Sequence, residues 1–358
     1  MKTSDFDFDF PQDLIAHCPA KKRDASRLMV LDMASGKTQH RKFSDIVNYL
    51  HKGDLLVLND TRVISANLVG VKEGGTARIE VLLADRIGPQ QWRCMVKPGK
   101  RLKVGGRVVF GGGKLIGTVM AKEESGEQII SFSCKGKIEK IIKKLGETPL
   151  PPYIKKLTPA PSLRKRGEQE RARRYQTVYA KKEGASAAPT AGLHFTQGLL
   201  KKIKAKGVKI AYITLHTGLA TFKPVYANDL RDHKMHEESY SIPLTTINAI
   251  KKARRVVAVG TTVVRALESV AATFRSPQKN GGLKASATDL KGKTNLFIYP
   301  GYKFKVVDAM ITNFHFPRST LVMMVSAFAG KDKIEKAYKE AFSKKYRLFS
   351  FGEAMFIK

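Results

Sequence analysis

Acidic residues are scarce in this chain. Against 65 Lys and Arg stand 31 Asp and Glu, so the 358 residues carry a formal net charge of +34. Such a surplus points to an anionic polymer as partner, nucleic acid or a membrane surface, since charge reports on association rather than fold. A lysine-rich proteome is the bland alternative. Cysteine is scarcer still. Cys18, Cys94 and Cys134 are far apart and odd in number, which argues for a reducing cytoplasm and against a CxxC metal site. No apolar run reaches the roughly 18 residues of a membrane span, so no spanning segment is expected, and of the two anionic partners nucleic acid is expected, with no membrane. The N-terminus has acids where a signal peptide has bases ahead of an apolar core. Neither a Walker loop nor the H-E-x-x-H zinc pattern is present. With 42% hydrophobic residues, the composition fits a soluble globular protein of about two or three cores.

What is present divides into two kinds of pattern. Residues 1–65 and 151–358 read as a mixed α/β domain. The alternation of Phe6, Phe8 and Phe10 with aspartates is strand-like. Leu28–Asp32, Leu55–Leu58, Val208–Leu215, Val256–Val259, Asn295–Tyr299 and Val306–Ile311 read as strands. Helices are expected over Phe43–Leu50, Leu199–Lys206, Thr245–Arg255, Val263–Phe274, Thr320–Ala329 (capped by Ser319) and Asp332–Lys344. Between these parts, from about Ala66 to Leu150, short strands follow one another: VISANLVGV, ARIEVLLA, QWRCMV, RVVF, KLIGTVMA and QIISFSC. Glycine pairs and triplets punctuate them, and a helix over Ile138–Leu145 follows. That spacing predicts a small antiparallel barrel inserted into the larger domain. Residues 155–174 form a basic run, a linker or solvated segment. Residues 275–293 are a polar surface loop.

The candidate chemistry sits where elements end. Tyr175–Phe195 (YQTVYAKKEGASAAPTAGLHF) has little that reads as regular structure. Its small residues, with Pro189, Thr190 and Gly192, allow a substrate close to the backbone, and His194-Phe195 closes it with a titratable ring beside an aromatic. A packed connection with a satisfied histidine is the alternative. Asn59-Asp60-Thr61-Arg62 ends a buried strand, either as ligand contacts or as a polar Asx-type turn. Gly260-Thr261-Thr262 joins a strand to a helix, a geometry for anions or simply a helix cap. His216-Thr217-Gly218 and Asn313-Phe314-His315 also follow strands. His233-x-x-His236-Glu237 holds ligand-type residues without a metal spacing, so no metal is expected. The histidines and aromatics with the basic charge favour a site for polyanion and nucleoside.

Together these segments resemble the S-adenosylmethionine:tRNA ribosyltransferase-isomerases of queuosine biosynthesis. The resemblance rests on FDFPQDLIA (8–16), RDASRLMVLD (23–32), GDLLVLNDTRVI (53–64), LPPYI (150–154), YQTVYA (175–180) and AAPTAGLHFT (187–196). It continues through LHTGLATFKPV (215–225), HKMHEE (233–238), VVAVGTTVVRALES (256–269), the block 295–330 and YRLFSFGEAMFI (346–357). These blocks cover most of the chain in the family's order. Gly292-Lys293-Thr294 departs from the family's Gly-Trp-Thr, and Thr217-Gly218-Leu219-Ala220 from its Val-Gly-Leu-Gly.

The resemblance implies transfer and isomerisation of the ribosyl unit of S-adenosylmethionine onto 7-aminomethyl-7-deazaguanine at the tRNA wobble position. The products are epoxyqueuosine-tRNA, adenine and methionine. The partners implied are S-adenosylmethionine and tRNAs whose anticodon begins GU, with a monomeric enzyme and no further cofactor. A base must take a proton from the carbon beside the sulfonium, and an acid should stand near the departing adenine. His194, His216, His315, Glu237 and Asp60 are the catalytic candidates, His194 first. Binding falls to Pro189, Thr190, Gly192, Phe195, Thr217, Gly218, Phe222, His236, Gly260, Thr261, Thr262, Asn313 and Phe314. Arg265 is expected to hold a phosphate or the methionyl carboxylate. Phe195, Phe222 or Phe314 is expected to stack on a base. A non-catalytic RNA-binding protein and a metal-dependent RNA-modifying hydrolase are the competing classes.

Overall fold

The computed structural model describes residues 1–124, 126–154, 169–218, 225–272 and 289–358. Residues 155–168, 219–224 (with Phe222) and 273–288 lie outside the described residues. The chain divides into two compact units, one of Met1–Thr61, Pro151–Lys182 and Ala188–Lys358, the other of Arg62–Leu150 with Glu183–Ala187.

In chain order the strands are β1 Arg27–Leu31, β2 Thr38–Lys42, β3 Asp54–Asn59, β4 Thr61–Val63, β5 Asn67–Lys72, β6 Arg78–Arg86, β7 Gln91–Lys97, β8 Arg107–Phe110, β9 Leu115–Lys122, β10 Gln128–Ser133, β11 Lys182–Ala185, β12 Lys209–Leu215, β13 Glu238–Ile242, β14 Arg255–Val259, β15 Leu290–Thr294, β16 Ala309–Asn313 and β17 Ala354–Ile357. The main helices are α1 Ile138–Leu145, α2 Gln197–Ala205, α3 Leu244–Lys251, α4 Thr261–Ser269, α5 Thr320–Ala329 and α6 Lys331–Ser343.

The larger unit is built on a nine-stranded sheet in the order β15-β13-β12-β3-β14-β16-β17-β1-β2. Its centre, β12-β3-β14-β16, is parallel, and antiparallel pairs flank it on both sides. The sequence reason is the unbroken apolar runs in β1, β3, β14 and β16. Such runs suit strands covered on both faces. Successive side chains point to opposite faces. Leu55 and Val57 enter one core with Val263, Val264, Met323 and Ile334 from α4, α5 and α6. Leu56 and Leu58 enter the other, with Phe43, Ile46, Phe195, Leu199 and Ile203. Helix α5 is apolar nearly all round and is buried accordingly.

The smaller unit holds a closed barrel, β10-β7-β6-β5-β8-β9, with every neighbouring pair antiparallel. Alternate residues Ile79, Val81 and Leu83 point inward, as do Trp92, Cys94, Phe110 and Phe132, and α1 adds Ile138 and Ile142. The six strands expected from glycine-punctuated alternation are the six that close it. The fold class is thus mixed α/β with a small antiparallel barrel.

Some local expectations were displaced. Phe6 ends a 3-10 turn, Thr3–Phe6, and no strand forms at Phe8 or Phe10. No neighbouring strand is available there, and the rings act as anchors, Phe8 edge-on to Tyr338 at 5.5 Å and Phe10 edge-on to Phe349 at 5.3 Å. The 43–49 helix is 3-10, and Asp45 in its first turn accepts from Lys42 N, at the N-cap, at 3.1 Å. Helix α3 stops at Lys251, and Arg255 opens β14 to pair with Asp54 at 2.5 Å. The strand expected at 295–299 lies five residues earlier, at β15, an edge strand. Exposed Lys291 and Lys293 make it look like loop, and charged edges of this kind discourage stray pairing.

Candidate active site

Strands β3, β12, β14 and β16 run parallel, so Asn59, Leu215, Val259 and Asn313 end at one edge of the sheet. Open α/β sheets place ligands in the crevice outside these carboxyl ends. A cleft is found there. It is lined by Tyr153, Ala188, Pro189, Thr190, Ala191, Thr217, Gly260, Thr261, Thr262, Thr312, Asn313, Phe314, His315, Phe316, Ser319, Leu321, Phe349 and Ser350. Of the stretches singled out in the sequence, Pro189–Ala191, Thr217, Gly260–Thr262 and Asn313–His315 meet in it, and Asn59–Arg62 and His233–Glu237 do not. No Asp, Glu, Lys or Arg is among these lining residues.

Local backbone explains how they meet. Gly260 takes φ 92° at the N-cap of α4, a left-handed angle open to glycine. Its N–H donates to Ile311 O at 2.8 Å, tying β14 to β16. The first turn of α4 then presents Thr261 and Thr262 to the cleft. Asn59 holds the neighbouring strand ends. Its Oδ1 accepts from Thr61 N and Leu215 N, each at 3.1 Å, and its Nδ2 donates to Leu215 O at 2.9 Å. The Asn59–Thr61 bond is the Asx-type turn weighed from the sequence. Thr190–His194 is a single 3-10 turn. A Cβ on Gly192 would stand 2.1 Å from the Tyr179 hydroxyl, so packing demands this glycine, which does not line the cleft.

The histidines separate by depth. His315 lines the cleft and is buried, with Nε2 2.8 Å from Thr312 Oγ1. Burial lowers its pKa to about 3, so the ring is neutral. His194 stands behind the wall. Its Nδ1 lies 2.8 Å from Ser26 Oγ and its Nε2 3.3 Å from Asn313 Nδ2, and the ring stacks on Phe43. Burial, then Arg347 and Arg23, lowers its pKa to about 3. His216 Nδ1 meets Thr61 Oγ1 at 2.8 Å. Its pKa is lowered by burial, against the raising influence of Asp60. Asp60 accepts from Thr214 Oγ1 at 2.6 Å. Neither residue lines the cleft.

Other candidates are placed elsewhere. His236 is exposed, and Glu237 makes a surface pair with Lys293 at 3.2 Å. The nitrogens of Arg265 bond Leu296 O at 3.1 Å, Thr294 O at 3.4 Å and the buried Glu238 carboxylate, so this guanidinium is engaged inside the protein. Phe195 is core, edge-on to Phe43 at 4.9 Å. Phe314 lines the cleft and packs edge-on against Tyr338 at 5.2 Å. Gly218 follows Thr217 but does not line the cleft. Among the described residues, no group of three or more His, Cys, Asp and Glu gathers as a metal site.

Sequence reasoning missed one wall. Phe316 and Phe349 stack with centroids 3.4 Å apart and planes at 14°, and Tyr153 donates or accepts at 2.6 Å with Ser350 Oγ. Phe349 sits at φ 69°, a costly angle for a bulky residue and one that clusters at functional sites. The aromatic and serine density of Tyr346–Phe351 was the available signal, but nothing local pairs residue 349 with 316. A separate basic hollow is lined by Lys21, Arg23, Arg173 and Arg174. Burial, then Arg174, lowers the Arg23 pKa to about 10.

The chain is similar to known proteins over its whole length. A family described as queuosine biosynthesis protein matches residues 3–357. The S-adenosylmethionine:tRNA ribosyltransferase-isomerase of Halothermothrix orenii is 51% identical, and that of Acetivibrio thermocellus 50%, each over 100% of both chains. The crystal structure of an S-adenosylmethionine tRNA ribosyltransferase from Thermotoga maritima is 38% identical, with a TM-score of 0.54 over 99% of this chain and 100% of that one. On this full-length similarity, the chain belongs to the queuosine biosynthesis family, that of the S-adenosylmethionine:tRNA ribosyltransferase-isomerases.

Proposed function

We propose that this enzyme transfers and isomerises the ribosyl unit of S-adenosylmethionine onto 7-aminomethyl-7-deazaguanine at the wobble position of tRNA, releasing adenine and methionine. The observation that carries the reading is the uncharged cleft at the carboxyl edge of the sheet, in a chain alike over its whole length to enzymes of that name. Small residues at Ala188–Ala191 admit the nucleoside, and the Phe316–Phe349 pair offers it a flat apolar surface. The sulfonium acidifies the adjacent carbon, whose proton needs an acceptor. His315 is the histidine that reaches the cleft wall, and as a neutral imidazole it is free to take that proton. We assign it the proton-carrying role, with His194 one hydrogen bond behind the wall. The basic hollow at Lys21, Arg23, Arg173 and Arg174 suits tRNA phosphates. The substrate tRNAs are those with anticodons beginning GU, the enzyme acts as a cytoplasmic monomer, and no metal cofactor is part of the proposal.

The test is adenine release from S-adenosylmethionine in the presence of substrate tRNA. His315→Ala is expected to lose about 10²–10⁴-fold in kcat, with tRNA binding and melting temperature near those of the parent. Normal turnover by the variant would remove His315 from the chemistry. Dialysis against a chelator should leave the parent's rate unchanged, and recovery of a lost rate on adding zinc would contradict the metal-free reading.

A further inference from the structure

Asn313 closes β16 and is 2% exposed. Its side-chain nitrogen faces two acceptors, Phe349 O at 3.0 Å and His194 Nε2 at 3.3 Å. A main-chain carbonyl oxygen only accepts, so the atom facing Phe349 must be the amide nitrogen. An amide N–H only donates, so His194 Nε2 is unprotonated and the ring proton sits on Nδ1. That proton is donated to Ser26 Oγ at 2.8 Å, and the Ser26 hydroxyl donates to Arg23 O at 3.1 Å. Each link allows one direction of donation. The face of Phe43, 5.0 Å from the imidazole centroid and at 28°, holds the ring in plane.

The consequence lies at the other end of the amide. Asn313, a residue of the cleft wall, has a buried Oδ1 without a hydrogen-bond partner among the described residues, as has Thr217 its Oγ1. Buried polar atoms are nearly always paired, and each exception calls for a reason. Here an acceptor is oriented from behind by a relay, and the residue that carries it lines the cleft. We infer that Asn313 Oδ1 accepts a hydrogen bond from the 6-amino group of the adenine of S-adenosylmethionine, and that His194 is the positioning residue that holds the amide in this orientation. The inference rests on the reaction proposed above. The lining speaks against the charged donor of that substrate. A buried ammonium requires a paired carboxylate, and among the described residues no acid lines the cleft. A planar amino group next to the Phe316–Phe349 stack needs only an in-plane acceptor.

The experiment compares kcat/KM for S-adenosylmethionine and for its 6-oxo (inosine) analogue, with tRNA as acceptor. The parent should favour the 6-amino substrate by about 10- to 100-fold, the effect of one buried hydrogen bond replaced by two facing acceptors. Asn313→Ala should bring the ratio close to one. His194→Ala should lower it, and His194→Gln, whose side-chain oxygen can accept from Asn313 Nδ2, should restore it. Melting temperatures measured alongside separate this from unfolding. Equal use of both substrates by the parent overturns the inference and leaves the reaction reading standing. A parent that releases no adenine from S-adenosylmethionine removes both. Discrimination that persists in Asn313→Ala, or falls instead on an analogue lacking the methionyl amine, overturns the assignment to adenine.

Discussion

Burial gives His194 and His315 a pH signature of their own. In the folded protein both pKa values are lowered to about 3, while in the unfolded chain they titrate near 6.5. Below pH 6.5 the unfolded chain binds protons that the folded chain refuses. Stability should therefore fall as pH drops through 6.5 towards 3, by about 1.4 kcal/mol per pH unit for each histidine. Denaturant melts at pH 7 and pH 5 measure this, and His194→Gln should shrink the difference between them. An unchanged difference would place the acid sensitivity in other groups. The same scale shows what neighbouring residues in the chain conceal. His236 and Glu237 look like a catalytic pair in sequence, yet one is exposed and the other is tied to Lys293. Arg265 sits one turn into α4, at the right distance for an anion, but faces Glu238. Side-chain direction around a helix depends on the helix's packing, which the motif does not contain.

At the level of elements, caps and continuous apolar runs were the dependable signals. Ser319 was legible as the start of α5, and its Oγ accepts from Val322 N at 3.2 Å while donating to Phe316 O at 2.7 Å. Ser319→Ala should cost about 1 kcal/mol, the usual loss for an N-cap. Urea unfolding measures that cost, and a stability equal to the parent's would show that neither bond of this hydroxyl sets the helix start. The edge strand β15 was not legible, because its lysines alternate with glycine and threonine rather than with apolar residues. Its partner β13 supplies the missing information through the register Glu238↔Thr294 to Ile242↔Leu290. The 3-10 form of 43–49 was equally hidden, since a seven-residue amphipathic stretch has too few turns to separate a period of 3.0 from 3.6.

For the molecule as a whole, charge and chain division make separate predictions. A net charge of +34 should make tRNA binding steeply dependent on salt. If six to ten phosphates are contacted, affinity falls by about 10³–10⁵ between 50 and 200 mM salt, through counterion release. Binding titrations over that range test it, and a flat response would exclude a phosphate-led interface. We also propose that the barrel, Arg62–Leu150, is a folding unit of its own, because Leu68, Trp92, Phe110 and Phe132 form a core within it. Expressed alone it should show β-type circular dichroism and melt cooperatively, and a disordered fragment would reject that boundary.

By itself the sequence determined the central strands, the six strands of the barrel, the main helices and the family. Those features are written in local periodicity, turn residues and blocks of consecutive identity. It also placed Pro189, Thr190, Thr217, Gly260, Thr261, Thr262, Asn313, Phe314 and His315 at the ends of elements, where a parallel sheet gathers its loops. Only the tertiary structure decided which of the candidates share a cleft and at what depth. Tyr153, Phe316 and Phe349 come from segments almost two hundred residues apart at the extremes, and no local pattern couples them. His194 moved behind the wall for the same reason: its partners Ser26, Phe43 and Asn313 belong to three different parts of the chain. Burial and hydrogen-bond direction are properties of that assembled neighbourhood, and they set which ring is neutral and which atom of the Asn313 amide is the donor.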